Sequence, residues 1–421
     1  MLAWLGIIIL TAILFWRSKA LRDPHMTPLT MFGLFVLKFS AALFLTYLYT
    51  DVMQKERERT DVFKYFDDGE VMASAWSDSP ELFGNLFMDR NAPGTAEYYS
   101  EMDHWHRSYD LIRLNDNRTM IRIHALLHLV SSGMYSFHCW LFALAAFIGL
   151  YLMYGAFREL LDLPKWTFLF LFILPPSLLL WVGPPLKESW AVLAMGLSVH
   201  GLFRLRKGRG AGSLILGILL FVGIKPYLLI AFVPFLILFI LVYFTPLKDW
   251  IVALVVNVGF LLALLLRGLH PKTDVIGVLA LKQKDFINLG LERAAGSMVD
   301  IPVFTDGLSF LKAIPYGIWN TLVRPYPSFS DGLLSALSGI EQSIYVALVL
   351  LAISFRRRSI RWEVLYLCLT YYLWTAIFVG TVTPVMGALV RYRAPVIPFL
   401  LIALICVIEP RRIEAWRKSG G

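Results

Sequence analysis

The chain has 421 residues, 58% of them hydrophobic and 16% charged, and its mean hydropathy is +0.65. Apolar runs such as residues 140–152 are too numerous to hide in one core, which excludes a water-soluble enzyme, a disordered chain and a collagen-like fibre. The formal charge is 39 − 30 = +9, but the basic residues sit in short clusters between apolar runs, a pattern that fits anionic lipid and membrane topology and not nucleic acid.

In chain order, the apolar runs predict spans near residues 2–16, 30–50, 136–157, 166–183, 188–204, 212–224, 226–245, 250–267, 340–355, 363–381 and 386–408. About 20 apolar residues cross a bilayer core. The run 213–244 is interrupted by Gly223, Ile224, Lys225 and Pro226, and reading it as two helices gives about eleven spans. Only that count brings all four basic clusters (Arg17/Lys19/Arg22, Arg204/Arg206/Lys207/Arg209, Arg356/Arg357/Arg358/Arg361 and Arg411/Arg412/Arg417/Lys418) to the cytoplasmic side. The N-terminus then lies outside and the C-terminus inside. The first apolar run lacks the basic flank and cleavage site of a secretory signal. The expected fold is an all-α polytopic transmembrane bundle, one integral domain over residues 1–421, with extracytoplasmic elements at 51–135 and 268–339. The first of these holds 15 acids against 9 Lys/Arg, a net of 9 − 15 = −6, and its interleaved aromatics predict short amphipathic helices lying on the membrane. No internal repeat of fixed period is visible, which counts against a transporter made of duplicated halves. Cys139, Cys368 and Cys406 lie in apolar stretches without CxxC spacing and read as packing residues.

Three groups of residues could carry chemistry. The first is the acidic stretch with Asp61, Asp67, Asp68 and Glu70 around Lys64, Phe63, Tyr65 and Phe66. On a helix Asp61 and Asp68 share a face, where a carboxylate could serve as general base or metal ligand, or simply form a solvated acidic turn. The second is the Pro-broken run ending in Lys187 and Glu188, read either as a pair at the membrane boundary or as a phosphate-holding lysine oriented by its neighbour. The third is Arg391 and Arg393 inside the last apolar run, where guanidinium forks suit phosphate oxygens or a structural partner such as Glu188 or Glu341. Arg324, before Pro325, and Lys225, before Pro226, could add to the same cationic site. The run Asp103-His104-Trp105-His106 and the i, i+4 pair His124 and His128 have metal-like spacing, but no HExxH or comparable acidic partner accompanies them. Residues 113–122, dense in Arg, Asn and Asp, read either as a sugar-hydroxyl site or as a loop brace.

The acidic motif in the first outer loop, the broken helices and the basic motif near the last spans together resemble the GT-C class of integral membrane glycosyltransferases. More narrowly, YFDDG (65–69), NDNR (115–118), PPSLLLW (175–181) followed by Lys187-Glu188, and RYRAPVIPF (391–399) are similar to blocks in bacterial membrane proteins associated with surface polysaccharide. The resemblance implies a multi-pass protein of the bacterial inner membrane. It implies transfer of a sugar from a polyprenyl-phosphate-linked donor to a glycan or lipid acceptor on the outer face, with Asp61, Asp67 or Asp68 at the catalytic carboxylate position. A divalent cation is left open as a cofactor. The physical requirement agrees: a donor with a buried tail and an anionic head needs cations at the membrane boundary and a carboxylate at the surface. The alternatives are an O-antigen-type polymerase or ligase in which arginines carry the reaction, a polysaccharide or lipid transporter, and a non-catalytic scaffold. A transporter would need polar residues along the spans at mid-membrane, and the spans read as almost uniformly apolar away from their outer ends.

Overall fold

The computed structural model describes residues 2–18, 25–53, 57, 60–106, 116–267, 274–292, 297–327 and 332–409. Among them the secondary structure is helical, with two isolated β-bridges and no strand. Seven helices are long and apolar enough to cross a membrane: Pro28–Val52, Tyr135–Leu161, Pro226–Phe244, Asp249–Leu266, Leu333–Ser354, Trp362–Val382 and Met386–Val407. The chain is therefore an all-α, membrane-embedded protein.

The remaining four expected spans differ from these seven. Gly6–Arg17 and Ala211–Ile224 are apolar but shorter. The run 166–183 is broken at Pro175 and Pro176 into a π-turn, Phe168–Ile173, and a short helix, Pro176–Trp181, because proline withdraws a backbone donor and clashes with the preceding turn. Lys187–Leu205 has the length, but its charged first turn, Ser189, Ser198 and His200 dilute its hydropathy. The 213–244 run is split as expected, with Lys225 between Ala211–Ile224 and Pro226–Phe244.

The chain divides into two compact units, residues 1–174 with 178–226, and 175–177 with 227–421. The first contains α1 (Leu2–Arg17), α2 (Pro28–Tyr47), α3 (Lys64–Asp78), α4 (Pro80–Phe87), α5 (Thr95–Glu101), α6 (Asp116–Ser131), α7 (Tyr135–Leu161), most of α8 (Pro176–Trp181), α9 (Lys187–Leu205) and α10 (Ala211–Ile224). Thr27 caps α2, its hydroxyl accepting from the Thr30 N–H, with Pro28 in the first turn where no donor is missed. The α7–α9 crossing is close. A Cβ on Gly149 would lie 2.4 Å from the Val192 carbonyl oxygen, and one on Gly196 would lie 2.1 Å from that of Gly149, the small-residue contact by which helices pack where lipid offers no hydrophobic drive. Between the candidate spans Pro28–Val52 and Tyr135–Leu161, the described residues include the short helices α3 to α6, none of which is a candidate span. Ser79 begins α4 by accepting from the N–H groups of Glu81 and Leu82.

The second unit contains α11 (Pro226–Phe244), α12 (Asp249–Arg267), α13 (Val275–Glu292), α14 (Gly307–Val323), α15 (Leu333–Ser354), α16 (Trp362–Val382), α17 (Met386–Arg393) and α18 (Ile397–Val407). Helix α14 starts at an Asp306–Ser309 capping box. It is fixed to α16 by Asn320 Nδ2 donating to the Gly380 carbonyl and Thr321 Oγ1 to that of Ala376, at 3.0 and 2.9 Å. Buried Gln283 on α13 donates to the carbonyls of Pro302 and Thr381 and accepts from the Phe304 N–H, anchoring the chain before α14. Cys139, Cys368 and Cys406 are buried free thiols.

Candidate functional site

The acidic motif folds into the first turns of α3, and the three aspartates come to differ there. Asp61 sits exposed in the turn before the helix. Asp67 is held side-on by Arg57, whose Nη2 and Nε lie 2.7 and 3.1 Å from its oxygens, while the Arg57 guanidinium covers the Phe63 ring at 4.1 Å. That bond to Asp67 pushes the Arg57 pKa further up. Asp68 is buried at 3% exposure and accepts the backbone N–H of Asp103 at 3.2 Å on one oxygen and that of His104 at 2.9 Å on the other. Gly69 completes the motif for a packing reason: a Cβ there would meet the His124 Cβ at 2.5 Å, so only glycine lets α3 cross α6 at this distance.

Around Asp68 the polar blocks of the first unit converge. His104 Nδ1 lies 3.4 Å from Asp68 Oδ2. Asn117, from NDNR on α6, donates to the His104 carbonyl at 3.1 Å and accepts from the Tyr65 hydroxyl at 2.9 Å. Lys187, opening α9, donates to Asp116 Oδ2 at 2.6 Å and Asn117 Oδ1 at 2.7 Å, and lies 5.1 Å from the centre of the Tyr65 ring. Glu188, the next residue, pairs with Lys225 at 2.6 Å, both side chains being almost fully buried. Three motifs far apart in sequence thus form one network, in which the two lysines are compensated by carboxylates of the same unit. Below it, Arg118 reaches Asp89 at 2.5 Å and lies 4.9 Å from the Trp105 ring centre. Arg122 donates to the Phe87 carbonyl at 2.5 Å, and burial lowers its pKa. Residues 113–115 lie outside the described residues, and the side chains of Asp116, Asn117, Arg118 and Arg122 are engaged within the unit by Lys187, Tyr65, Asp89 and the Phe87 carbonyl.

An oxygen from each of Asp68 and Asp103 and a nitrogen of His104 lie within 4.8 Å of one another, the one such group among the described residues. Two carboxylates and an imidazole suit a divalent cation that prefers oxygen or mixed oxygen and nitrogen ligands. His124 and His128 face elsewhere. His124 Nδ1 is 2.8 Å from His138 Nδ1, His128 Nε2 is 2.9 Å from the Phe66 carbonyl, and the Phe66 ring packs on all three imidazoles. Burial, then repulsion from His138 and His128, holds the His124 pKa well below the ordinary imidazole value, and burial lowers that of His128.

The second unit holds the arginines. Arg391 is 7% exposed and its guanidinium lies 5.6 Å from the Tyr392 ring centre. Arg393 is fully buried and donates through Nη1 to the Thr321 carbonyl at 2.8 Å and to that of Arg324, while Nε and Nη2 have no hydrogen-bond partner. Arg324 donates to the Tyr316 hydroxyl at 2.7 Å. Glu341 accepts from the Ser177 N–H, the Ser177 hydroxyl and the Tyr345 hydroxyl at 2.9, 2.7 and 2.5 Å.

Lys38 was not singled out in the sequence. It lies in the middle of the span Pro28–Val52, is fully buried, and donates to the Leu178 carbonyl of α8. The spans are thus less uniformly apolar than the run pattern implied, and a lone lysine inside an apolar run was the available signal. Compared with models of protein families, with curated proteins and with solved structures, the chain gives no match.

Proposed function

We propose that the protein is an integral membrane glycosyltransferase of GT-C type, moving a sugar from a polyprenyl-phosphate-linked donor to a glycan or lipid acceptor at the cell surface. The observation that carries this reading is the Asp68 network. A buried carboxylate on a non-spanning helix is held by two backbone N–H groups next to His104, and the same network reaches Lys187 at the start of an apolar helix. Chemically, transfer needs an acceptor hydroxyl to lose a proton while a phosphate leaves the anomeric carbon. Asp68, alone or through a divalent cation shared with Asp103 and His104, is the group proposed to draw that proton. Asp61 and Asp67 are secondary candidates, Asp67 being engaged by Arg57. Lys187 and Lys225 are balanced by Asp116 and Glu188 at the membrane boundary, and Arg324, Arg391 and Arg393 are the cations proposed to hold the departing phosphate.

The topology that goes with this reading has about eleven membrane-crossing segments in a bacterial inner membrane. The N-terminus, residues 51–135 and residues 268–339 lie outside, and the C-terminus lies in the cytoplasm. The polymerase or ligase reading shares the arginines and dispenses with the carboxylate, so the two part at the aspartates. The test is to replace Asp61, Asp67 and Asp68 singly and together by Asn, confirm membrane abundance, and follow surface glycan. Loss in the Asp68→Asn variant supports the carboxylate mechanism; full activity in the triple variant rejects it in favour of the arginine-based alternative.

A further inference from the structure

We infer that the second unit carries a buried oxyanion site, built on the side-on edge of Arg393 and fitted to a single phosphate group. This rests on the proposed function only for the identity of the molecule that brings the phosphate. Arg393 shares the span Met386–Val407 with Arg391 and lies in it at 0% exposure, and a guanidinium so placed is retained only with partners or for function. Its Nη1 is used up on the carbonyls of Thr321, in the last turn of α14, and of Arg324, which caps that helix. Nε and Nη2, whose N–H bonds run parallel and form the edge that grips carboxylate or phosphate with two hydrogen bonds, have no partner. The nearby carboxylate does not take them. Glu341 is occupied by Ser177 and Tyr345 and makes no ion pair with Arg393 within 4.0 Å.

The same turn of α14 collects further unsatisfied polar atoms. Gln342 donates to the Leu322 carbonyl while its Oε1 has no partner, and Asn320 Oδ1 and Arg324 Nε also have none. Leaving several polar atoms of one turn unmade is costly, and an oxyanion with a hydroxyl would answer donors and acceptors together. Arg324, whose carbonyl Arg393 holds, is itself part exposed, and Tyr326 two residues on is exposed.

The experiment uses full-length protein in lipid nanodiscs and measures binding of two probes, inorganic phosphate and a short-chain polyprenyl monophosphate. It compares the native chain with Arg393→Lys, which keeps the charge but loses the side-on edge. The native chain should bind a probe, and Arg393→Lys should weaken that binding by about tenfold or more. Binding of the lipid phosphate, displaced by inorganic phosphate, identifies a lipid headgroup as the source; binding of inorganic phosphate alone identifies a soluble phosphate. Absence of binding by the native chain at millimolar probe, or unchanged binding in a folded Arg393→Lys, overturns the inference. If Arg393→Lys does not fold, the native chain's binding of either probe, competed by the other oxyanion, decides. Sugar transfer is read separately. Phosphate binding without transfer refutes the proposed function and leaves this site standing, and transfer with unchanged binding in the variant does the reverse.

Discussion

Lys187 Nζ lies 2.6 Å from Asp116 Oδ2, joining the first turn of α9 to the first turn of α6 across 71 residues of sequence. The side chains are 8% and 16% exposed, so neither is solvated well enough to stand alone. Truncating one member of such a pair strands the other, at a cost of about 3–5 kcal/mol, whereas replacing both costs far less. Lys187→Met should therefore lower the unfolding temperature in detergent sharply, and Lys187→Met with Asp116→Leu should recover much of the loss. A double variant as unstable as the single one would show that the pair does not carry the coupling.

Gly69→Val tests the packing reason for the glycine of the acidic motif. With the His124 Cβ 2.5 Å from the position that a Cβ on residue 69 would take, α3 and α6 must separate, at a cost of about 1–3 kcal/mol or more. Reduced stability and loss of the Asp68 network's function are expected together. A variant with native stability would mean that the helices are not crossed this closely.

The histidine cluster sets an acid limit on stability. His124 and His128 have lowered pKa values in the folded chain, so above about pH 6.5 both states hold them neutral and they contribute no pH dependence. Below that value the unfolded chain takes up protons that the folded chain refuses, and stability falls with pH, by at most about 1.4 kcal/mol per unit for each group. The groups facing the pair are His138, Glu70 and Asp67. Thermal unfolding between pH 7.5 and 5 should show a steeper loss for the native chain than for His124→Phe. Equal slopes would remove His124 from the account.

Orientation is open to labelling, helped by the burial of all three native thiols. A Ser77→Cys variant, exposed on α3, should react with an impermeant maleimide on intact cells. Arg209→Cys, exposed after α9, should react only after permeabilisation. The reverse pattern would invert the topology proposed from the basic clusters.

The helical, membrane-embedded character was legible because apolar run length alone reports it, and YFDDG, NDNR and Lys187-Glu188 stood out as polar blocks beside such runs. What they touch was not legible. Lys187 and Glu188 read as a neighbouring pair, yet helix geometry sends consecutive side chains in different directions, and each found its carboxylate or ammonium partner in another element. The span expected at 166–183 had the apolar length, but the prolines that break it act through backbone hydrogen bonds that hydropathy does not register. Lys38 was hidden for a related reason, since one lysine scarcely changes the mean hydropathy of a 25-residue span.

The central claim is that Asp68 is the carboxylate of a sugar transfer from a lipid-phosphate donor, and it is tested most directly with purified protein in liposomes supplied with lipid-linked sugar and acceptor glycan. The account predicts transfer by the native chain, a fall of about 10²–10⁴-fold in rate for Asp68→Asn, and a smaller fall for Asp67→Asn and Asp61→Asn. Undiminished transfer by a folded Asp68→Asn, or no consumption of donor by the native chain, would contradict it.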